Sequence, residues 1–362
     1  MRRLTVATAV LCGTIFAPSA SMAQANTGPA PETVTRTNSA RASVTGTNAT
    51  IAQPNSAAQS NSVPAICPPL RQVAKINMVT IRDENRRGVP VLLNGQPKYF
   101  LLDTGAAITA LFPTSVLSMK LPIKPTAGRV YSVSGGVSSY AAHVNTFSFG
   151  NIDFGGGDVM IFPGMIISDT SREYAGLLSP ELFWRYDVEM DFARNTLNLF
   201  SRDHCDGQVV YWSPASVSVI PIKISDSNLV TLPVKLDGVL MEAVIDTGAP
   251  DSVLNLTVAG KSLNVDLNAP EIETIGDGDV VRYRKRFHTM EFEGLVVSQP
   301  ILSIVPDYMK DAMAKNAPAA QKDKVAGLPD IILGMNVLSK LHIYFATREN
   351  RLYVSPAEVI KQ

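Results

Sequence analysis

Tyr99-Phe100-Leu101-Leu102-Asp103-Thr104-Gly105-Ala106 is echoed 143 residues later by Ala243-Val244-Ile245-Asp246-Thr247-Gly248-Ala249. In each, an apolar run of strand character ends at an acid, followed by a hydroxyl residue and a glycine. From average residue usage, a chance Asp-Thr-Gly should occur well under ~0.1 times in a chain of this length. Two copies, each after a buried-strand pattern and each followed by Ala, point to a repeat.

Outward from these tetrapeptides the repeat continues. Residues 90–111 and 233–254 align without a gap, with nine identities in 22 positions. At the same offset Gly135 matches Gly278, Tyr140 matches Tyr283, Phe149 matches Phe292 and Pro163 matches Pro306. The second copy then carries twelve extra residues in the polar, Ala- and Lys-rich stretch 307–324, which could form a short surface helix. After it the register resumes at an offset of 155: Leu177-Leu178-Ser179 matches Ile332-Leu333-Gly334, and Asn195 and Leu197 match Asn350 and Leu352. The ordered chain is therefore one unit of about 130 residues, duplicated, with Trp212 to about Lys223 as the bridge.

Short strand-like runs separated by turn residues make the expected fold mostly β. Asn94-Gly95 and Asp237-Gly238 each stand between apolar runs as hairpin turns. The helical candidates are short, Ser179–Trp184 and Met335–Leu341. The expected organisation is an export signal over 1–25, a disordered low-complexity linker over 26–70, a first lobe over 71–205 and a second over 206–362.

The chain has 362 residues, 46% hydrophobic and 18% charged, which suits a globular protein with two cores. Lys+Arg and Asp+Glu both number 32, so no basic excess argues for nucleic acid as a partner. Met1-Arg2-Arg3, the apolar stretch Leu4 to Phe16 and the small residues Ala23-Gln24-Ala25 read as an export signal, which implies a periplasmic or secreted protein. Arg2-Arg3 also permits a twin-arginine reading, and Cys12 has no Leu three residues before it, as a lipoprotein anchor would. No later run reaches the ~18 apolar residues of a membrane helix. Residues 26–63 hold no aromatic residue and only Glu32, Arg36 and Arg41 as charges, so they cannot bury enough apolar surface to offset their ordering entropy. Beyond the signal stand Cys67 and Cys205, in an oxidising compartment either a disulfide or two thiols.

The residue types of the repeat suit one chemistry. A carboxylate at a strand end, on a tight turn, is held rigidly where a cleft can open. Gly105 and Gly248 allow close approach of another backbone. Thr104 and Thr247 carry hydroxyls able to hydrogen-bond across a two-fold-like interface. Packed about such an axis, Asp103 and Asp246 would meet. Two carboxyls about 3 Å apart cannot both ionise, so they share a proton. Such a pair can serve as general base towards water and general acid towards a carbonyl or leaving amine, with no cofactor.

These residues resemble the aspartic proteases, specifically the retropepsin-like branch of bacterial exported proteins. Asp103-Thr104-Gly105-Ala106 and Asp246-Thr247-Gly248-Ala249 match that family's catalytic loops, and Ile332-Leu333-Gly334 matches its hydrophobic-hydrophobic-Gly backing element. The resemblance spans about Lys75 to Val354 and implies two tandem acid-protease lobes, pseudo-two-fold and fused as in the pepsins. It implies Asp103 and Asp246 as the catalytic pair, acting on peptide or protein substrates in a monomer. Gly135, Gly136, Gly276 and Gly278 fall at the family's flaps, although such glycines also suit plain hairpin tips. The first copy departs from the pattern by placing Ser179 where the second has Gly334.

Other motifs are excluded or open. The histidines 143, 204, 288 and 342 are scattered, so no metal is expected. Gly260-Lys261-Ser262 lacks the upstream glycine of a phosphate loop, and there is no Gly-x-Ser-x-Gly elbow. The basic run Arg282 to Arg286 reads as the solvated face of a strand, or as a feature favouring acidic substrates. A peptide-binding scaffold without turnover, and an active site assembled between two molecules, are the competing functional expectations.

Overall fold

In the computed structural model of the chain, the residues described are 68–82, 85–132, 136–164, 167, 172–212, 217–275, 281–306 and 329–357. Two short strands, Thr8–Ala9 and Val34–Arg36, precede them.

Both expected hairpins form. Asn94 and Gly95 take φ of 51° and 73°, joining Arg87–Leu93 to Gln96–Leu102. Asp237 and Gly238 take 47° and 82°, joining Val230–Leu236 to Val239–Ile245. Positive φ at both central residues gives a turn whose twist matches the strands, and Asn, Asp and Gly tolerate it best. Each turn side chain also reaches the neighbouring strand. Asn94 Oδ1 accepts from the amides of Asn145 and Thr146, and Asp237 Oδ1 from those of His288 and Thr289.

From these hairpins grow two sheets of the same strand order. The first runs Ile123–Tyr131, Val137–Val144, Gly157–Ile161, Ala110–Leu111, Tyr174–Leu178, Gln96–Leu102, Arg87–Leu93, Phe147–Phe149, Ile152–Asp153. The second runs Glu273–Ile275, Arg282–Arg286, Ile301–Val305, Val253–Asn255, Ile331–Leu333, Val239–Ile245, Val230–Leu236, Thr289–Phe292, Leu295–Ser298. Position by position these are the strands that the sequence repeat equates.

A third sheet of six strands joins the lobes, in the order Ser218–Pro221, Arg351–Pro356, Leu341–Ala346, Asp187–Asp191, Thr196–Phe200, Gln72–Asn77. Its two halves mirror one another: three strands of the second copy meet three of the first across the pairing of Asp187–Asp191 with Leu341–Ala346. The protein is mostly β, two tandem lobes about a pseudo-two-fold axis, with buried apolar side chains of both lobes in one continuous core.

The short helical turns expected near Ser179 and Met335 are present as Pro180–Leu182, a 3-10 turn, and Met335–Leu338. Two helices escaped the sequence reading, Pro113–Ser118 and Leu256–Leu263, which occupy equivalent places in the copies. The first opens on a proline, whose fixed φ suits a first helical turn. The second absorbs Gly260-Lys261-Ser262 into regular helix. Within the stretch read as a disordered linker, Val34–Arg36 runs antiparallel to Leu295–Val297. Thr8–Ala9, in the stretch read as an export signal, lies parallel to Arg129–Val130. The stretch 307–324, read as a possible surface helix, lies outside the described residues.

Candidate active site

The two acids stand at the ends of Gln96–Leu102 and Val239–Ile245, each central in its sheet and each beside a parallel strand. The neighbouring strand fixes the acid's backbone: Asp103 N donates to Leu178 O at 3.0 Å and Asp246 N to Leu333 O at 2.9 Å. Leu177-Leu178 and Ile332-Leu333, picked out as backing elements, are the tips of those parallel strands.

Thr104 and Thr247 clasp the loops together reciprocally. Thr104 Oγ1 donates to Ile245 O at 2.8 Å and accepts from Thr247 N at 3.0 Å. Thr247 Oγ1 donates to Leu102 O at 2.8 Å and accepts from Thr104 N at 3.1 Å. All four groups are buried, so each bond replaces a desolvated polar group that would otherwise be left unsatisfied.

The clasp brings the acid loops face to face, each carboxyl lying against the glycine of the other loop. Both residues are 0% exposed. Gly105 N donates to Asp103 Oδ1 at 3.1 Å; Gly248 N and Ala249 N donate to Asp246 Oδ1 at 2.8 and 3.1 Å. The glycines are required by space. A Cβ on Gly105 would stand 2.4 Å from Asp246 Cγ, and one on Gly248 would stand 2.4 Å from Asp103 Cγ. The proton affinity of Asp103 is raised well above the ordinary carboxyl range, first by burial and then by the charge of Asp246.

Behind each loop the copies use equivalent bonds with different residues. Ser179 N donates to Thr109 Oγ1 and Gly334 N to Ser252 Oγ, at 3.1 and 3.0 Å. Thr109 N donates to Glu181 Oε1 and Ser252 N to Asn336 Oδ1, both at 2.7 Å. Burial raises the proton affinity of Glu181, and the Thr109 donors oppose this. The Ser179 departure fits its place: the side chain is fully buried and donates to Ala106 O at 2.8 Å. Gly334 has no such room, since a Cβ there would lie 2.3 Å from Asp251 O.

Gly136 closes the tip of the hairpin Ile123–Tyr131/Val137–Val144. It accepts from Ser132 N at 2.9 Å and donates to Ser132 Oγ at 3.0 Å. Gly135, Gly276 and Gly278 lie outside the described residues. So does Cys67; Cys205 is disulfide-bonded. The basic run is taken up locally, Arg284 by Glu273 at 3.3 Å and Lys285 by Glu271 at 3.2 Å, as a solvated strand face would be. Each histidine meets a carboxylate: His143 with Asp158, His204 with Asp187, His288 with Asp237, His342 with Glu189. Among the described residues no group of His, Cys, Asp and Glu could hold a metal ion, and no helix is long and apolar enough to cross a membrane.

Sequence reasoning missed Arg86. It is 0% exposed, and its guanidinium donates to Gly248 O at 3.2 Å, reaching from the first lobe into the second lobe's acid loop. The reciprocal contact runs from Asn228 Nδ2 to Ala107 O at 3.2 Å. The repeat held a signal for Arg86, because its counterpart at the 143-residue offset is Leu229.

No curated protein matches the sequence. Among solved structures, basic 7S globulin from soybean aligns over 80% of this chain and 96% of its own, at 8% identity and a TM-score of 0.43. A family model described as aspartyl protease matches residues 89–179 and again 232–337, so that each match contains one Asp-Thr-Gly-Ala loop and its backing strand. Together the two matches cover more than half of the chain, and with the duplicated lobes around them they make it a member of the aspartyl protease family.

Proposed function

We propose that the protein is an aspartic endopeptidase, with Asp103 and Asp246 as one proton-sharing pair. The observation that carries this reading is the facing of two fully buried carboxyls, each against the other loop's glycine, held by reciprocal threonine bonds across the lobe boundary. A water lying between the carboxyls would give its proton to the ionised member as its oxygen attacks the peptide carbonyl. The protonated member would give its proton to the carbonyl oxygen. Collapse of the tetrahedral intermediate would then return a proton to the leaving amine. Both loops come from one chain, which supports activity as a monomer. The N-terminal pattern supports export to the periplasm or beyond.

Asp103→Asn and Asp246→Asn should each lower peptide hydrolysis by roughly 10²–10⁴-fold or more while the circular dichroism spectrum is retained. The measurement is turnover of an unbiased peptide library across a pH series. Full activity in either variant would reject the shared pair. Peptide binding with no turnover at any pH would assign the fold a scaffold role instead.

A further inference from the structure

Burying a cation is costly unless opposite charge or good acceptors compensate it. Arg86 is among the largest side chains that the fold buries completely. It sits where the second copy has Leu229, so the duplicated architecture does not itself demand a charge there. Its guanidinium is bound to Gly248, whose amide holds Asp246 and whose α-carbon faces Asp103.

We propose that Arg86 is a positioning residue for the carboxyl pair: a counter-ion, supplied by one lobe alone, that keeps one negative charge on the pair and braces the Asp246 loop from across the lobe boundary. The inference rests on reading Asp103 and Asp246 as a proton-sharing pair. Burial and mutual repulsion both push the pair towards its fully protonated, uncharged form, in which neither member can accept a proton from water. Among the influences on Asp103, Arg86 is the charge of opposite sign.

Three other charged groups lie near the acid loops. Arg87 donates to Asn85 O and to Phe192 O, the latter at 3.3 Å. Glu181 accepts from Thr109 N on the far side of the Asp103 loop. Asp251, further along the Asp246 loop, is only partly buried. Asn228, which also reaches an acid loop across the lobe boundary, is uncharged.

The test is direct titration of the pair by 13C NMR, with aspartate labelled at the carboxyl carbon and Asp103 and Asp246 assigned from their Asn variants. Arg86→Gln keeps an amide donor for Gly248 O and removes the charge. Its first titration should move upward by about one pH unit. Arg86→Lys should stay near the native midpoint. The acid limb of the kcat/KM profile should follow the same pattern. An unmoved titration in Arg86→Gln, or equal displacement in both variants, overturns the proposal. A wild-type measurement guards against variants that do not fold: the Arg86 Nε–H signal should titrate with the pair's midpoint, and a signal indifferent to pH across that range overturns the proposal too. A displaced titration in a protein without turnover leaves the counter-ion standing and removes the protease reading. Turnover with an undisplaced titration does the reverse.

Discussion

Asp103 carries a consequence for stability. Its folded-state proton affinity lies well above that of the unfolded carboxyl, chiefly through burial and then through Asp246. Between the two titrations the folded chain holds a proton that the unfolded chain has released. Stability therefore falls as pH rises through that window, which opens at about pH 4. Asn at this position has no proton to lose. Asp103→Asn should melt higher than the native protein at neutral pH, by roughly 2–4 °C, and the difference should close as pH falls towards 4; thermal melts at three pH values check this. The acids themselves were legible in the sequence because Asp-Thr-Gly is rare and occurs twice. Arg86 was not read: the repeat sets it against Leu229, but its burial depends on the opposite lobe, which no local pattern encodes.

At the scale of elements, the threonine clasp ties the two central strands together, and it distinguishes a hydroxyl from mere shape. Thr247→Val keeps the branched side chain but removes the donor to Leu102 O and the acceptor for Thr104 N. Each buried group left without a partner costs about 1–3 kcal/mol. The variant should lose stability on that order in urea unfolding, and Thr104→Val should behave alike. Hairpins were readable because Asn-Gly and Asp-Gly satisfy a specific backbone demand. The backing elements were readable from their repeated apolar pattern. The helices Pro113–Ser118 and Leu256–Leu263 were not. Each is short, and only residues 115 and 116 of the first and Ala259 of the second are buried, so no apolar stripe announced them.

For the whole molecule, duplication was legible as a constant offset, and with it the equivalence of two sheets. The sheet that joins them was not, since its pairing of Asp187–Asp191 with Leu341–Ala346 unites residues about 155 apart with no shared motif. That joint is symmetric in backbone and asymmetric in chemistry. Asp187, Glu189 and Asp191 share one face of their strand. They meet Thr347, His204, His342, Tyr211 and Asn198, while Trp212 stacks on His342 at 4.4 Å. His204 feels burial opposing its charge, but the Cys205 carbonyl and the Asp187 carboxylate raise its proton affinity overall. Its contribution to stability is thus present below its unfolded value near 6.5 and fades as pH rises through the folded one.

The joint also decides which half can accept which. The equivalents of His342 and Tyr344 in the first copy are Asp187 and Glu189. If two first lobes met through this edge, Glu189 would face Glu189 and Asp191 would face Asp187, a ladder of like charges that water could not reach. Residues 71–205 and 206–362, produced separately and mixed near neutral pH, should sediment as a one-to-one complex, with the first alone remaining monomeric. A first lobe that dimerises at neutral pH would contradict this. The three acids thus act as a mating code on this edge: like charges would meet across a copy of itself, whereas the second copy offers His342 and Tyr344.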